Sequence, residues 1–423
     1  MTNATSNYQV IIVGAGFAGV AAARRLGKAK IPTLLIDRNN YSQFQPLLYQ
    51  VASSQLPPSD VAEPLRAIFR KRPSVRVLTA EVTAIDAAAH TVTVDDGTVY
   101  SAPTLVIAAG AVVNFFGTPG AAEHAYPLYS VSDSTRLGAA IIEQFDKADA
   151  RVAAGEALDP TNIVVVGAGP TGVEMAGAIA ETINSVVPRT YSDAVREAFT
   201  VHLADLAKTV LGPFTEELQQ YAQEHLEELG VQLHLGTSVK EVRADGVTLS
   251  DGEVLAAPIV IWAGGLHAQP VVGQAGITPG RGGRLNVNDD LTVPGFPGVY
   301  ALGDAANIPD GAGKTLPGLG AVAKQAGAWA GENILADLKG TQRTAFEYHD
   351  RGFMAMIGRM AAVAEVGRSH KQLHGSLAFA GWLAVHDVLL PSARPRYNAL
   401  VNWVRDYFTE DRTEFIVGDA TRT

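Results

Sequence analysis

No cysteine occurs among the 423 residues, and this absence excludes disulfides, thiolate metal sites and cysteine nucleophiles. Disulfide reductases, sulfide:quinone reductases and cysteine-based peroxidases are thereby removed. Basic residues are outnumbered, 33 Lys and Arg against 43 Asp and Glu for a net charge of −10. That balance argues against a nucleic-acid partner, which calls for a basic face. No apolar run of about 20 residues occurs, so no segment reads as a membrane span. The short polar stretch Met1–Asn7 reads as no secretory leader. The histidines are scattered without metal-ligand spacing, and no metal is expected.

Glycine, in contrast, is abundant and patterned. Gly14-Ala15-Gly16-Phe17-Ala18-Gly19 follows the apolar run Val10-Ile11-Ile12-Val13. Gly167-Ala168-Gly169-Pro170-Thr171-Gly172 follows Ile163-Val164-Val165-Val166. Each has the order strand, Gly-x-Gly-x-x-Gly, small-residue helix. The first glycine makes the tight turn, the second lets backbone approach a pyrophosphate, and the third lets helix and strand pack closely. The helix N-terminus then faces the phosphate charge. One such motif is a weak signal; two in context imply two dinucleotides, a flavin and a nicotinamide exchanging a hydride.

The surrounding chain extends the pattern. Thr33-Leu34-Leu35-Ile36 reads as the next strand and ends at Asp37, about 20 residues past the first glycine, where a carboxylate meets a ribose hydroxyl. The run at 200–205 ends likewise at Asp205, which accepts from a free 2′-hydroxyl and repels a 2′-phosphate. Only Lys208 follows it, so NADH is favoured over NADPH. Thr104–Gly110 reads as a buried strand, and Ala257–Gly265 mirrors it and is expected to return the chain to the first domain. Val299–Gly303 closes on Asp304, placed to meet a ribityl hydroxyl of FAD. The fold class expected is α/β: two Rossmann-like dinucleotide-binding domains plus a C-terminal helical segment. Residues 1–115 and 260–345 form the FAD domain, 116–259 the NADH domain, and 346–423 the C-terminal region.

Three stretches are more specific than the fingerprints: Phe44-Gln45-Pro46-Leu47-Leu48-Tyr49-Gln50-Val51-Ala52, the run Val164–Gly177, and Phe346–Gly367 with its core Gly352–Gly358. Through them nearly the whole chain resembles the type II NADH dehydrogenases, single-subunit NADH:quinone oxidoreductases of respiratory membranes. The resemblance implies non-covalent FAD on Gly14, Gly16, Phe17, Ala18, Gly19, Asp37 and Arg38. It adds Pro46, Val82, Ala109, Gly110, Gly303, Asp304, Gly320 and Ala321 to that site. NADH is implied on Gly167, Gly169, Pro170, Thr171, Gly172, Asp205, Ala263 and Gly264. Glu174 and Gln325 are the implied catalytic residues, Glu174 positioning nicotinamide or relaying a proton; its other reading is a helix first-turn acid stabilised by the dipole. The family's Ala-Gln-x-Ala-x-Gln motif appears here as Gly320-Ala321-Val322-Ala323-Lys324-Gln325, with one glutamine replaced by Ala321. Ser42 stands where the family often has histidine.

The resemblance further implies a quinone acceptor (menaquinone or ubiquinone), a homodimer, and peripheral attachment to the inner face of the cell membrane through C-terminal amphipathic helices. Ala378, Gly381, Trp382, Val385 and Leu389 recur at helical spacing, and beyond Pro391 and Pro395 so do Tyr397, Leu400, Val401, Val404 and Phe408, with Trp403 and Tyr407 beside them. Such helices are too short to span but long enough to lie flat. Arg394, Arg396 and Arg405 suit anionic lipid, while Asp387, Asp406, Glu410 and Asp411 dilute them. The same stripes fit packing on the protein's own body. Two other functions stay open on the residues: a soluble NADH-dependent reductase serving an iron–sulfur protein or small molecule, and a flavin- and NADH-binding redox sensor.

Overall fold

The computed structural model describes residues 8–409 apart from 368 and 391, together with 412 and 415. Met1–Asn7, Pro391, Glu410, Asp411 and the Phe408 side chain lie outside the described residues. Two compact units divide the chain. The first gathers the residues up to Gln43 with Glu63–Val112 and Leu266–His349; the second gathers Phe44–Ala62, Val113–Gly265 and the residues from Asp350 onward.

The chain enters the first unit through β1 (Val10–Val13), α1 (Phe17–Lys28), β2 (Thr33–Asp37), β3 (Val75–Thr79) and β4 (Thr104–Ile107). It passes into the second as β5 (Tyr126–Pro127), β6 (Thr161–Val166), α2 (Pro170–Glu181), β7 (Phe199–Asp205), β8 (Gln232–Leu235) and β9 (Ile259–Trp262). β10 (Val299–Ala301) and α3 (Gly320–Leu338) belong again to the first. β11 (Gly352–Gly358), β12 (Ala361–Val366), β13 (Lys371–His374), α4 (Gly375–Leu389) and α5 (Ala393–Thr409) complete the second.

In the first unit five parallel strands lie in the order β10-β4-β1-β2-β3. All four residues of β1 are buried, as a parallel strand covered on both faces requires. Helices α1 and α3 approach through small residues. A Cβ at Gly327 would stand 2.1 Å from the Ala18 carbonyl oxygen, and one at Gly331 would stand 2.8 Å from Arg25 Cβ. Arg25 and Glu332 close the seam with an ion pair.

In the second unit the parallel order is β5-β9-β6-β7-β8. The antiparallel ribbon β11-β12-β13 packs on α2 so closely that a Cβ at Gly177 would lie 1.7 Å from the Ile357 carbonyl oxygen. Helices α4 and α5 each turn one apolar face inward. Ala378, Phe379, Trp382 and His386 are buried on α4, as are Ala399 and Trp403 on α5, and the two indoles meet edge to face at 5.9 Å. Leu377, Val385, Val388, Tyr397, Leu400, Val401 and Val404 point the other way and are exposed. Among the described residues no helix is long and apolar enough to cross a membrane.

The structure differs from the sequence expectation at three boundaries. The strand at 259–262 does not return to the first unit; β9 lies between β5 and β6, with Ile163 opposite Ile259. Its mirror image of Thr104–Gly110 has a physical basis, because each run supplies the small-residue backbone against which its own unit's fingerprint turn packs. The return falls at Leu266 instead. Residues 44–62 and those from Asp350 onward group with the second unit rather than forming parts of other domains. The C-terminal stripe also splits: Ala378 and Trp382 face the core, while Val385 and Leu389 are exposed.

Candidate functional site

Each unit builds the same turn at the end of its central strand. In the first, Gly14 takes φ +96°, and a Cβ there would lie 2.2 Å from the Ala108 carbonyl oxygen. At Gly19 it would lie 1.9 Å from the Gly14 carbonyl oxygen. At Gly16, by contrast, no protein atom comes within 4 Å of the Cβ position. The first and third glycines are thus required by the protein's own backbone, and the second fronts open space. The N-terminus of α1 carries neither a side-chain cap nor an acidic residue in its first turn, which leaves its amides directed to an external anion.

The second unit repeats the arrangement. Gly167 takes φ +111° with its Cβ position 2.8 Å from the Ala263 carbonyl, Gly172 would meet the Gly167 oxygen at 1.7 Å, and Gly169 is open. Pro170 begins α2, where its missing N–H costs no helical bond. Pro170 and Thr171 are exposed, and Gly264 adjoins the Trp262 indole, 3.3 Å from its Nε1 by the same Cβ measure.

The two strand-end acids are equivalent in detail. Asp37 Oδ2 accepts the Ala15 N–H at 2.6 Å and Oδ1 accepts the Asn39 N–H at 2.8 Å. Asp205 Oδ2 accepts the Ala168 N–H at 2.5 Å and Oδ1 the Ala207 N–H at 2.7 Å. Each carboxylate locks the turn it faces and keeps lone pairs for a ribose diol. Burial raises the Asp37 pKa, opposed by those amides and by Arg38.

Other expected residues are distributed less uniformly. Phe17 adjoins Gly320, whose Cβ position is 3.0 Å from the phenyl ring, and Ala18 adjoins Gly303. Gly303, Asp304 and Arg284 line a small cavity with Val322, and Asp304 Oδ1 lies 2.9 Å from the Cβ position of Gly318. Gly110 follows β4 at φ +73°, with Ala109 before it. Val82 pairs with Val94 in a separate three-stranded sheet and packs on the first unit's core. Pro46 sits in the second unit, in the turn Gln45–Leu47. Ala321 is half-buried in the first turn of α3. Gln325 is tied to backbone: its Nε2 donates to the His349 carbonyl at 3.1 Å, and its Oε1 accepts the His349 N–H at 3.0 Å.

Glu174 is no exposed first-turn acid. It is buried on α2, where Oε1 accepts the Met356 N–H at 3.3 Å, and burial pushes its pKa up to about 8 against that bond. Met356 is a hub, since Tyr49 and Tyr407 both direct their hydroxyls at its Sδ, at 3.4 and 3.6 Å. Gln50 donates to the Tyr49 hydroxyl at 3.2 Å and accepts the Trp403 indole N–H at 2.8 Å. Two turns along α2, Glu181 meets Arg359 at 3.2 Å and Arg412 at 3.8 Å, and Arg412 also reaches Asp406 at 2.9 Å, the Ser53 carbonyl and Thr182. Sequence reasoning assigned no role to Tyr49, Gln50 or Met356, although all three lie in the stretches that carry the family resemblance. Nothing in the sequence marked Arg412.

Two parallel sheets, each with an open glycine cradle and a strand-end acid, define an oxidoreductase of the twin dinucleotide-fold class. Residues 8–327 match the family model for pyridine nucleotide-disulphide oxidoreductases. The chain is 33% identical to the type II NADH:quinone oxidoreductase Ndh of Mycobacterium tuberculosis over 97% of its own length and 90% of that protein's. For NdhA of the same organism the identity is 36%, over 94% and 86%. The solved structure of Plasmodium falciparum NDH2 in complex with NADH superposes with a TM-score of 0.88 at 20% identity, covering 97% of this chain and 100% of that one. The chain belongs to the pyridine nucleotide-disulphide oxidoreductase family, in its type II NADH:quinone oxidoreductase branch. It does so without the redox-active thiol for which the wider family is named.

Proposed function

We propose that the protein oxidises NADH on FAD and passes two electrons to a quinone, without pumping protons. The observation that carries this reading is the pair of open cradles, each with its own acid, in a chain whose curated relatives are named for that reaction. Gly14–Gly19 and Asp37 would hold the FAD pyrophosphate and ribose, and Asp304 with Arg284 its ribityl side. Gly167–Gly172 and Asp205 would hold NADH. When bound, FAD supplies hydride acceptance from the nicotinamide and electron delivery to the quinone.

The chain's own residues orient and protonate. Asp205 selects the free 2′-hydroxyl. Reducing a quinone with NADH consumes one proton beyond the hydride, and Glu174 holds a proton at neutral pH because burial disfavours its anion. Its carboxyl lies against the Met356 amide, which donates to Oε1, and near the Trp382 indole, both opposing the effect of burial. Gln325 braces α3 to the segment at His349 and has a second amide hydrogen for an acceptor carbonyl.

The exposed side of α5, with Tyr397, Leu400, Val401 and Val404, would lie in the membrane interface where a quinone is dissolved. Arg394 is exposed beside it. Arg396 is engaged elsewhere, donating to the Leu390 and Val388 carbonyls that end α4.

Steady-state NADH oxidation by the FAD-loaded protein, with and without a short-chain quinone, tests the reaction. Strong stimulation is expected. Rapid flavin reduction without stimulation would overturn the quinone assignment and leave a soluble acceptor. A Leu400→Glu/Val404→Glu variant should lose binding to lipid vesicles; unaltered binding would remove α5 from the membrane contact.

A further inference from the structure

The negative net charge conceals a segregated positive surface. Residues 20–40 and 63–79 together hold ten Lys and Arg against only Asp37 and Glu63, in a chain of net charge −10. The structure brings these two stretches together. β2 pairs with β3, setting Leu34 beside Arg76. A Cβ at Gly27, near the end of α1, would lie 2.9 Å from Arg72 Cδ and 2.8 Å from Val75 Cγ2. Leu65 donates its N–H to the Asn40 carbonyl at 2.9 Å, which fixes the helical turn Leu65–Ile68 beside the loop after β2.

Lys28, Lys30, Arg66, Arg70, Lys71 and Arg76 are all exposed, and none of the six makes an ion pair among the described residues. The nearest acids are engaged or withdrawn. Asp37 is held by two amides, Glu332 is paired with Arg25, and one oxygen of Glu63 is buried. Arg24, half-buried beside them, has its pKa lowered by burial, with Glu63 opposing that shift and Arg72 adding to it. Lys28 feels Glu332 at longer range; like charges gathered without direct ion pairs repel one another, and a polyanion relieves that cost.

We infer that this surface docks on the phosphate headgroups of an anionic membrane leaflet. The inference rests on the quinone reading above, because an acceptor dissolved in the bilayer makes the bilayer the working surface. Such a patch supplies a salt-dependent attraction to anionic lipid in a chain whose net charge is −10. A nucleic acid fits less well. The two stretches contain one aromatic residue, Phe69, which is buried, so no stacking platform accompanies the charge. In sequence, Arg66 follows Asp60 by six residues, and Asp60 accepts from Asn398 and Asn402 of α5 at 3.1 and 2.8 Å.

The test is co-sedimentation of the FAD-loaded protein with two kinds of vesicle, pure phosphatidylcholine and equal parts phosphatidylcholine and phosphatidylglycerol. Each surface cation contributes about a fivefold change in partitioning. An Arg66→Gln/Arg70→Gln/Lys71→Gln variant should therefore lose roughly 100-fold on the anionic vesicles at low salt. It should match the wild type on neutral vesicles and in NADH oxidation with a water-soluble quinone. Wild-type binding to the anionic vesicles should fall steeply with added salt. A triple variant that binds anionic vesicles like the wild type overturns the inference, as does a wild type with no preference between the two vesicles. In either case the Leu400→Glu/Val404→Glu variant reports separately on the apolar contact. If the wild type binds neither vesicle, the membrane reading falls with the patch, and an acidic protein becomes the partner to seek.

Discussion

Alanine at Gly169 and alanine at Gly172 alter one turn at positions three residues apart, yet their effects on folding should have opposite signs. Gly169 sits at φ −72°, ψ −179°, backbone that alanine adopts freely, and its Cβ position has no protein atom within 4 Å. The added methyl then meets only the bound dinucleotide. Folding should be unaffected or favoured by about 0.4–1 kcal/mol through the unfolded chain's lost freedom. NADH binding should weaken by about 1–3 kcal/mol, the usual cost of overfilling a packed contact, or about 5- to 150-fold. At Gly172 the Cβ would stand 1.7 Å from the Gly167 carbonyl oxygen, less than half a normal contact. Both sides of that contact are backbone, so no rotamer relieves it, and the turn must open. Thermal unfolding of the two variants, with the KM for NADH measured beside it, separates the cases. Gly169→Ala should keep its thermal midpoint and raise KM, while Gly172→Ala should lose the midpoint. An unaltered KM in Gly169→Ala would refute the assignment of that space to NADH, and a Gly172→Ala protein as stable as the wild type would refute the close packing.

Three further outcomes follow from the second unit. Glu174 has its pKa raised from 4.5 to about 8, so the folded state keeps a proton that the unfolded chain releases, and stability should decline as pH rises from about 4.5 to about 8. Glu174→Gln should flatten that decline and lower quinone reduction; a variant with the wild-type pH profile for both would remove the group from either role. Arg412→Met leaves Asp406 buried without its guanidinium and Glu181 with Arg359 alone, which should cost about 3–5 kcal/mol and be visible as a lower thermal midpoint, with Arg412→Lys falling between. Unchanged stability would show the cluster to be solvated. Asp205→Asn should narrow the NADH-over-NADPH ratio of kcat/KM, since the charge that repels a 2′-phosphate is gone, and an unchanged ratio would place discrimination elsewhere.

Much of the α/β architecture was legible because parallel strands read as short apolar runs and the Gly-x-Gly-x-x-Gly turn has few alternatives. Sheet membership was not. Ile259–Trp262 and Thr104–Ile107 are near-identical in character because they hold the same position in different units, and nothing local says which. Residues 44–62 are likewise local helices and turns whose partners, among them Met356, Trp403 and Arg412, lie more than 300 residues away. The C-terminal helices were read as one stripe each because helical spacing averages over a wide arc. Two apolar faces exist, and only packing separates Trp382 and Trp403 from Val388 and Leu400. Gln325 shows the converse limit, for a motif names the residue but not the backbone of His349 that occupies its amide.

The Arg412 cluster has a consequence for biosynthesis. Thr182 and Arg412 are 230 residues apart, and a chain leaves the ribosome N-terminal end first at about 5–20 residues per second. Glu181 therefore waits roughly 10–50 s for the second of its two guanidiniums, Arg359 having emerged before it. Until then the helix behind the NADH turn carries an acid without its full complement of counter-charge. Chains that stop short of Arg412 keep that deficit, and Asp406 stays without its guanidinium, even though the residues of both glycine turns are already in place.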